Sequence, residues 1–327
     1  MQKRRAPAIM AAVASVAAVV AYCVMPPRAF PDRLAFIPEE MTIIDNKFYD
    51  LPQWAAQWHT PDAALNTLGH MNSARVPYFD DAWRRELGGT NGSFLDVGCG
   101  IGGSSRHMAR RFAGARASCV GLTLSPEQAR RGNELSRDAG LDVTLEAQDA
   151  TNTTFADGSF DLVWSMESGE HMPDKATFVA ELGRLCAPGG RVSVVTWCHR
   201  DLQRGRKLSV AERAVLGLIN YCYYLPKWCS GADYARLFAA QRGVTARGVR
   251  DWTANIAPFW PAVARSSLKW SSLKKLRKTG LKTIRGAVAI LFMILGYKLG
   301  TVKFVAVAAA KDEAPGDAKW AWSGPVF

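Results

Sequence analysis

The stretch Leu95-Asp96-Val97-Gly98-Cys99-Gly100-Ile101-Gly102 decides how the rest of the chain is read. Ser93–Val97 (SFLDV) is a short apolar run of strand type, and a helical pattern through Phe112 follows the glycines. Glycines in such a turn keep it tight and let bare backbone come within van der Waals contact of a ligand. The turn lies at the carboxyl end of a strand, where open α/β sheets bind their ligands.

Outward from this turn, short apolar runs alternate with helical patterns across residues 93–200, which predicts βα units and a parallel sheet. Further strands are expected over Ser118–Leu122, Asp142–Ala147, Phe160–Ser165 and Arg191–Trp197, and Thr301–Ala310 (TVKFVAVAAA) would close the sheet. Ser125-Pro126-Glu127-Gln128 starts a helix, with Ser125 as N-cap, Pro126 at the first helical position and Gln128 three residues on, as in a capping box. Pro173 to Cys186 reads as helical, and Pro188-Gly189-Gly190 as the turn into the fifth strand. No internal repeat or low-complexity segment interrupts the pattern.

The ligand of the turn is narrowed by spacing. G-x-G-x-G, with Asp96 two residues before the first glycine, suits S-adenosylmethionine better than the G-x-G-x-x-G of a dinucleotide site. A dinucleotide reader also wants an acidic residue near the end of the second strand, where this chain has Gly121-Leu122-Thr123-Leu124. That disfavours a NAD-dependent oxidoreductase. Asp149-Ala150 after the third strand is placed to accept from an adenine amino group; taken alone, Asp149 is equally a surface carboxylate.

Composition sets the outer bounds. The 327 residues, 48% hydrophobic and 21% charged, describe a globular chain of one large domain or one domain with a cap. Seven Cys with no C-x-x-C pair argue against a disulfide scaffold and against a structural zinc site. Lys3, Arg4 and Arg5 precede an uncharged Ala/Val-rich stretch from Ala6 to Met25, which reads as a targeting signal over residues 1–29 or as a retained signal anchor. Those residues hold four of the cations, so the net charge of +12 falls to +8 without them.

Ten further cations and no carboxylate lie between Val263 and Lys303, which leaves the remainder close to neutral. Nucleic-acid binding would need cations interleaved with stacking aromatics, and this run instead abuts Ala287–Leu295 (AVAILFMIL). Nine apolar residues are too few to cross a bilayer. The pair reads either as docking on an anionic membrane or as a solvated helix face over a buried helix.

The segments LDVGCGIGGSSRHMARRF (95–112), GLTLSPEQARRGNEL (121–135), FADGSFDLVWSMESGEHMPDK (155–175), APGGRVSVVTWCHRDL (187–202), YYLPKWCSGADY (223–234) and DWTANIAPFWPAV (251–263) resemble the γ-tocopherol C-methyltransferases, within the class I S-adenosylmethionine-dependent methyltransferases. The resemblance spans about residues 93–311 and extends to plant N-methyltransferases of indole alkaloids. It implies a Rossmann-like α/β fold, a seven-stranded mostly parallel sheet with helices on both faces and an inserted helical cap. The expected division is a leader (1–29), an N-terminal cap (30–92), a cofactor-binding core (93–200), the remainder with the substrate cap (201–311) and a tail (312–327). The cap departs from the family. The WGEHMHHG-like segment expected before the glycine turn is missing, and NSARVPYF (72–79) looks more like the lead-in of ubiquinone-type O-methyltransferases.

By this resemblance Gly98, Gly100 and Gly102 line the methionine part of the cofactor, Gln128 bonds the ribose hydroxyls, and Asp149 and Ala150 hold the adenine. Asp96, Cys99, Thr123, Leu124 and Ser165 complete the expected cofactor set, with no chemistry assigned to the Cys99 thiol. Glu167, Glu170 and His171 follow the fourth strand, with His171 as the candidate base on a phenol and the carboxylates orienting it; otherwise Glu170 and His171 cap the next helix. Trp197 and His199 form a second candidate pair, or core filling and a solvated turn. Tyr224, Trp228, Phe259, Trp260 and Trp197 are expected to line an apolar acceptor site, or else to be ordinary core. The implied activity is methylation of a membrane-resident prenylated phenol, most simply a tocopherol ring carbon, in a plastid or, with a retained anchor, at the endoplasmic reticulum membrane. Ala29-Phe30-Pro31 resembles the cleavage junction of two-part plastid signals in algae. The rival classes are a methyltransferase for a sterol, a quinone-precursor hydroxyl or an amine, and a non-catalytic binding module on the same fold.

Overall fold

A computed structural model describes residues 92–112, 118–203, 206–223, 225–256, 260 and 280–312. The expected leader, residues 30–91 of the N-terminal cap, most of the basic run, Tyr224, Phe259 and residues 313–327 lie outside the described residues.

The strands are β1 (Ser93–Val97), β2 (Ser118–Thr123), β3 (Val143–Ala147), β4 (Phe160–Met166), β5 (Cys186–His199), β6 (Val244–Asp251) and β7 (Val302–Lys311). They form one sheet in the order β3-β2-β1-β4-β5-β7-β6. Pairing is parallel from β3 through β5, whereas β7 runs antiparallel to both β5 and β6. Helices α1 (Gly103–Phe112), α2 (Pro126–Asp138), α3 (Lys175–Leu185), α4 (Val210–Tyr223), α5 (Gly231–Ala239) and α6 (Gly280–Lys298) cover the sheet.

Both faces of the sheet are covered, so its central strands are apolar throughout rather than alternating. Along β5, Val194 and Cys198 enter a core with Phe178, Leu182 and Phe238, while Val195 and Trp197 enter the opposite core with Trp164, Ile219 and Phe304. Helices α4 and α6 pack together on that second side. Within α6, Ala289, Ile290, Met293 and Tyr297 are buried, whereas Val288, Leu291, Leu295 and Leu299, in and just beyond the helix, are exposed. The apolar stretch therefore lies in a helix with a buried face and an open one. No helix among the described residues is long and apolar enough to cross a membrane.

Local chemistry places the elements, with corrections. The expected turn Pro188-Gly189-Gly190 and Cys186, expected to end the preceding helix, lie inside β5, which starts at Cys186 opposite Phe160 of β4. The strand β6 is absent from the sequence reading, because VTARGVRD at a sheet edge carries two arginines and a glycine that break the apolar pattern, with a bulge at Arg247. The helix expected from Pro173 begins at Lys175, where the Asp174 carboxylate accepts from the amides of Ala176 (2.8 Å) and Thr177 (3.1 Å). Glu170 and His171 lie in a separate 3-10 turn and do not cap it. At α2 the Ser125 hydroxyl accepts from the Gln128 amide at 3.1 Å, as a capping box requires. The returning arm differs: the Ser125 amide donates to the Thr123 hydroxyl at 3.3 Å.

The packing of α2 on the sheet is close at Gly132, where an added Cβ would stand 2.2 Å from a Leu145 methyl and 2.9 Å from the Ile101 carbonyl oxygen. Helix propensity alone favours Ala over Gly by about 1 kcal/mol. Overpacking against backbone costs about 1–3 kcal/mol and wins. Gly132→Ala is therefore expected to destabilise the fold in urea unfolding; a raised midpoint would show that α2 can move off the sheet freely.

Candidate active site

The turn after β1 is held from both sides. Gly98, Gly100 and Gly102 all adopt positive φ (83°, 57° and 76°). The amides of Gly98 and Cys99 both donate to the Leu122 carbonyl, at 2.9 and 2.8 Å, which ties the turn to β2. Behind it, the buried Asp96 carboxylate accepts from the hydroxyls of Ser104 (2.5 Å) and Ser105 (2.6 Å), joining β1 to the start of α1. Burial raises the Asp96 pKa above its ordinary value, and these hydroxyl bonds oppose the rise.

The glycines do different work. A Cβ on Gly98 would lie 2.2 Å from the Ser168 Cβ, so this glycine makes room for the loop after β4. A Cβ on Gly100 would meet nothing within 4 Å, so its backbone faces open space at the strand end. That space suits the methionine end of S-adenosylmethionine. At the far side of the crevice Leu124 is exposed, and the Thr123 hydroxyl donates to the Gln128 side-chain carbonyl, holding Gln128 at the end of β2. Asp149 Oδ1 accepts from the Thr151 amide (2.8 Å) and hydroxyl (2.7 Å), which shapes the turn after β3, and Ala150 is buried beside it.

Two of the expected cofactor contacts are redirected. Ser165 is fully buried, its hydroxyl 2.6 Å from that of Ser168, which in turn donates to the Val97 carbonyl at 3.0 Å. Ser165 shapes the loop and has no surface to offer a ligand. Asp96 likewise acts from behind the turn through its serines.

The loop after β4 carries the titratable groups. Glu167 is the one non-glycine residue with positive φ (52°) among the described residues, and its amide donates to the Val195 carbonyl at 2.8 Å. A left-handed turn costs a residue with a Cβ about 1–2 kcal/mol, held here by the neighbouring strand. Glu167 keeps some accessible surface although protein surrounds it, as a group lining a crevice does. That enclosure, then the neighbouring Glu170 charge, pushes its pKa up to about 8 against the opposing approach of the Trp197 indole N–H. Burial pushes Glu170 to about 7, opposed by the Thr196 hydroxyl donating to Oε2 at 2.5 Å. Glu170 Oε1 is buried without a hydrogen-bond partner among the described residues.

His171 stands at the rim with its surface open. The protein packed around it and then the Lys175 ammonium lower its pKa below the ordinary value. Lys175 Nζ donates to the carbonyls of Glu170 (3.0 Å) and Met172 (2.5 Å), which fastens this turn to α3.

Aromatic rings pack together beside Glu167, within the core that holds Trp164 and Phe304. Trp197 lies 5.5 Å from Trp260 and 5.8 Å from Tyr223, centroid to centroid, and Trp260 lies 6.3 Å from Tyr297. Glu167 is near enough to Tyr223 and Tyr297 for its charge to raise both phenol pKa values, after burial as the main cause. Trp197 and Trp260, of the expected acceptor set, are thus brought together with Glu167. Trp228 is not: its indole N–H donates to Asn220 Oδ1, which ties it to α4. His199 is buried too, with Nδ1 2.8 Å from the Arg200 carbonyl, in a paired strand end and not in a solvated turn. Tyr297 was not expected from sequence, where it stands two residues beyond the apolar run Ala287–Leu295; the signal was a phenol just past a run with no polar side chain.

This strand order, with a glycine turn after the first strand and an antiparallel last hairpin, defines a class I S-adenosylmethionine-dependent methyltransferase. A family model described as "Methyltransferase domain" matches residues 95–194. The chain is 50% identical over 270 residues to "Probable tocopherol O-methyltransferase, chloroplastic" of Oryza sativa subsp. japonica, covering 81% of this chain and 72% of that protein. It is 49% identical over 220 residues to "Tocopherol O-methyltransferase, chloroplastic" of Arabidopsis thaliana, covering 66% and 62%. Among solved structures, geranyl diphosphate C-methyltransferase from Streptomyces coelicolor A3(2), in complex with Mg2+, geranyl diphosphate and S-adenosyl-L-homocysteine, is 26% identical with a TM-score of 0.56, covering 73% of this chain and 80% of that one. The chain belongs to the tocopherol methyltransferase family, and S-adenosylmethionine is its methyl donor.

Because Gly100 faces open space and Asp tolerates a left-handed φ, Gly100→Asp is expected to fold but to occupy the cradle. Calorimetry should find S-adenosylmethionine affinity lost while the thermal midpoint stays within a few degrees. Wild-type affinity would remove this turn from the cofactor site.

Proposed function

We propose that the chain transfers a methyl group to a ring carbon of a prenylated phenol of the tocopherol pathway, with Glu167 as the general base. S-adenosylmethionine, when bound, supplies an electrophilic methyl on a sulfonium sulfur. Gly98, Gly100, Gly102, Gln128 and Asp149 are the residues proposed to hold it, with Thr123, Leu124, Cys99 and Ala150 around them. The protein's task is to align the acceptor, exclude water and take a proton.

The observation that carries this reading is Glu167, enclosed among aromatic rings with its pKa raised to about 8. A phenol titrates near 10, so an ordinary carboxylate would face about 8 kcal/mol of uphill proton transfer, and one at 8 only about 3 kcal/mol. His171, held below its ordinary value, is the weaker base, and Glu170 is engaged by Thr196. The likeness to a carbon methyltransferase supports transfer to carbon. Transfer to oxygen is the second reading, carried by the names of the plant relatives.

Incubation of the enzyme with γ-tocopherol, a prenylated hydroquinone, a sterol and an amine, with NMR of the product, tests the acceptor and the methylated atom. A sterol or amine product would overturn the reading. A base must be ionised to act, so kcat/KM should rise with pH through about 8 and then level. Glu167→Gln should lose that limb and about 10²–10⁴-fold in kcat. A profile unchanged in the variant would return the role to His171 or Glu170.

Plastid localisation is proposed from the relatives named chloroplastic. Peripheral docking on an anionic bilayer is proposed from α6. Leu291 (59% exposed), Leu295, Leu299 and Val288 stand open at helical spacing, with Lys298 exposed among them, and the sequence before them is cationic. A lipophilic acceptor then need not cross water. Leu291→Gln and Leu295→Gln should each weaken sedimentation with phosphatidylglycerol vesicles about tenfold. Equal sedimentation would leave the stripe to residues 30–91 of the same chain.

A further inference from the structure

We infer that Tyr297 is a catalytic residue whose phenol donates to the acceptor's hydroxyl oxygen, opposite Glu167, so that the two grip the reacting phenol from both sides. The inference rests on the phenolic acceptor proposed above and adds to it the group that stabilises the phenolate.

Tyr297 is 8% exposed, and its hydroxyl has no acceptor for its proton among the described residues. The Trp260 indole N–H approaches the same oxygen, which leaves the phenol free to donate. Leaving a buried donor unmade costs about 1–3 kcal/mol, a cost that a ligand oxygen accepting from this phenol would remove. The Glu167 charge reaches Tyr297, yet no direct hydrogen bond joins them. An acceptor O–H group set between the two would accept from the phenol and donate to the carboxylate. The Trp197 indole N–H, also buried without hydrogen-bond geometry, looks onto the Glu167 side of that interval.

The position of Tyr297 is firmly set. A Cβ on Gly296 would lie 2.5 Å from a Val302 methyl, so the missing side chain lets the last turn of α6 sit down on β7. The amides of Gly300 and Thr301 donate to the carbonyls of Tyr297 and Gly296, each at 3.0 Å, which closes the helix end. The phenol is presented by rigid backbone, as an oxyanion donor must be.

In the step itself the acceptor O–H bond breaks, its electron pair stays on oxygen, and the proton passes to the Glu167 carboxylate. The phenolate oxygen retains the hydrogen bond from Tyr297, and the electron pair delocalises onto the ring carbon that takes the methyl. The proton displaced from that carbon returns to the oxygen on rearomatisation, so one proton leaves net, by way of Glu167.

The test compares γ-tocopherol with its methyl ether, which keeps ring and tail but has no proton to give. Binding of each is measured by calorimetry with S-adenosylhomocysteine present, for wild type and Tyr297→Phe, with melting curves as the check on folding. Wild type should prefer the phenol, and Tyr297→Phe should lose about tenfold in phenol affinity with little change for the ether. Its kcat should fall by about 10²-fold, the loss usual for one oxyanion donor. Equal losses for phenol and ether would overturn the inference and make Tyr297 a packing residue. So would a wild type that binds the two alike. If neither binds, or if the enzyme methylates only non-phenolic acceptors, the phenolic reading falls and this inference with it.

Discussion

The contact of Gly98 with the Ser168 Cβ is the constraint on which the site depends. By giving up its own Cβ, Gly98 lets the loop after β4 rest directly on the turn after β1, and the Ser168 hydroxyl then bonds the last carbonyl of β1. The cradle proposed for the methyl donor and the loop bearing the carboxylates become one rigid body. The neighbouring residue, Glu167, is forced into a left-handed conformation and anchored through its amide to β5. An in-line displacement tolerates little misplacement. Here the spacing of donor side to acceptor side is set by a van der Waals contact and short hydrogen bonds between adjacent strands.

The acceptor side is assembled from segments far apart in the chain. Trp197 comes from β5, Tyr223 from the end of α4, Trp260 from the segment after β6 and Tyr297 from the last turn of α6. The enclosure that makes these rings an apolar wall also strips water from Glu167 and Glu170. This costs stability. A carboxyl whose folded pKa is raised opposes folding progressively as pH climbs from the unfolded value near 4.5 to the folded value, about 8 for Glu167. The fold tolerates that opposition because the loop is clamped by backbone hydrogen bonds and by the Lys175 ammonium, which donates to two of its carbonyls.

The parallel half of the sheet was legible because its strands are buried on both faces and read as unbroken apolar runs, and because glycine and Ser-Pro signals separate them; Pro-Gly-Gly, read as a turn, instead lies within β5. The glycine turn after β1 was legible for the same local reasons. Strand β6 was not: Arg247, Gly248 and Arg250 are acceptable only because the strand pairs on one side, a fact of topology. Ser165 and Asp96 were placed on the ligand because adjacency in sequence cannot distinguish a side chain pointing into a crevice from one bracing it. Tyr297 was hidden because its meaning depends on Glu167, 130 positions earlier in the numbering. His171 was favoured as base by its ordinary pKa, which the protein around it changes.

The place of β7 has a consequence for how the molecule is made. This last strand lies inside the sheet, antiparallel between β5 and β6, and nine consecutive residues of β5 pair with it. Until a ribosome has released the chain through Lys311, β5 presents a long apolar edge and β6 has no neighbour. Such edges invite pairing with other chains. The nascent protein thus needs shielding from the emergence of β5 until β7 follows, and the sheet is completed by the insertion of a single strand between β5 and β6.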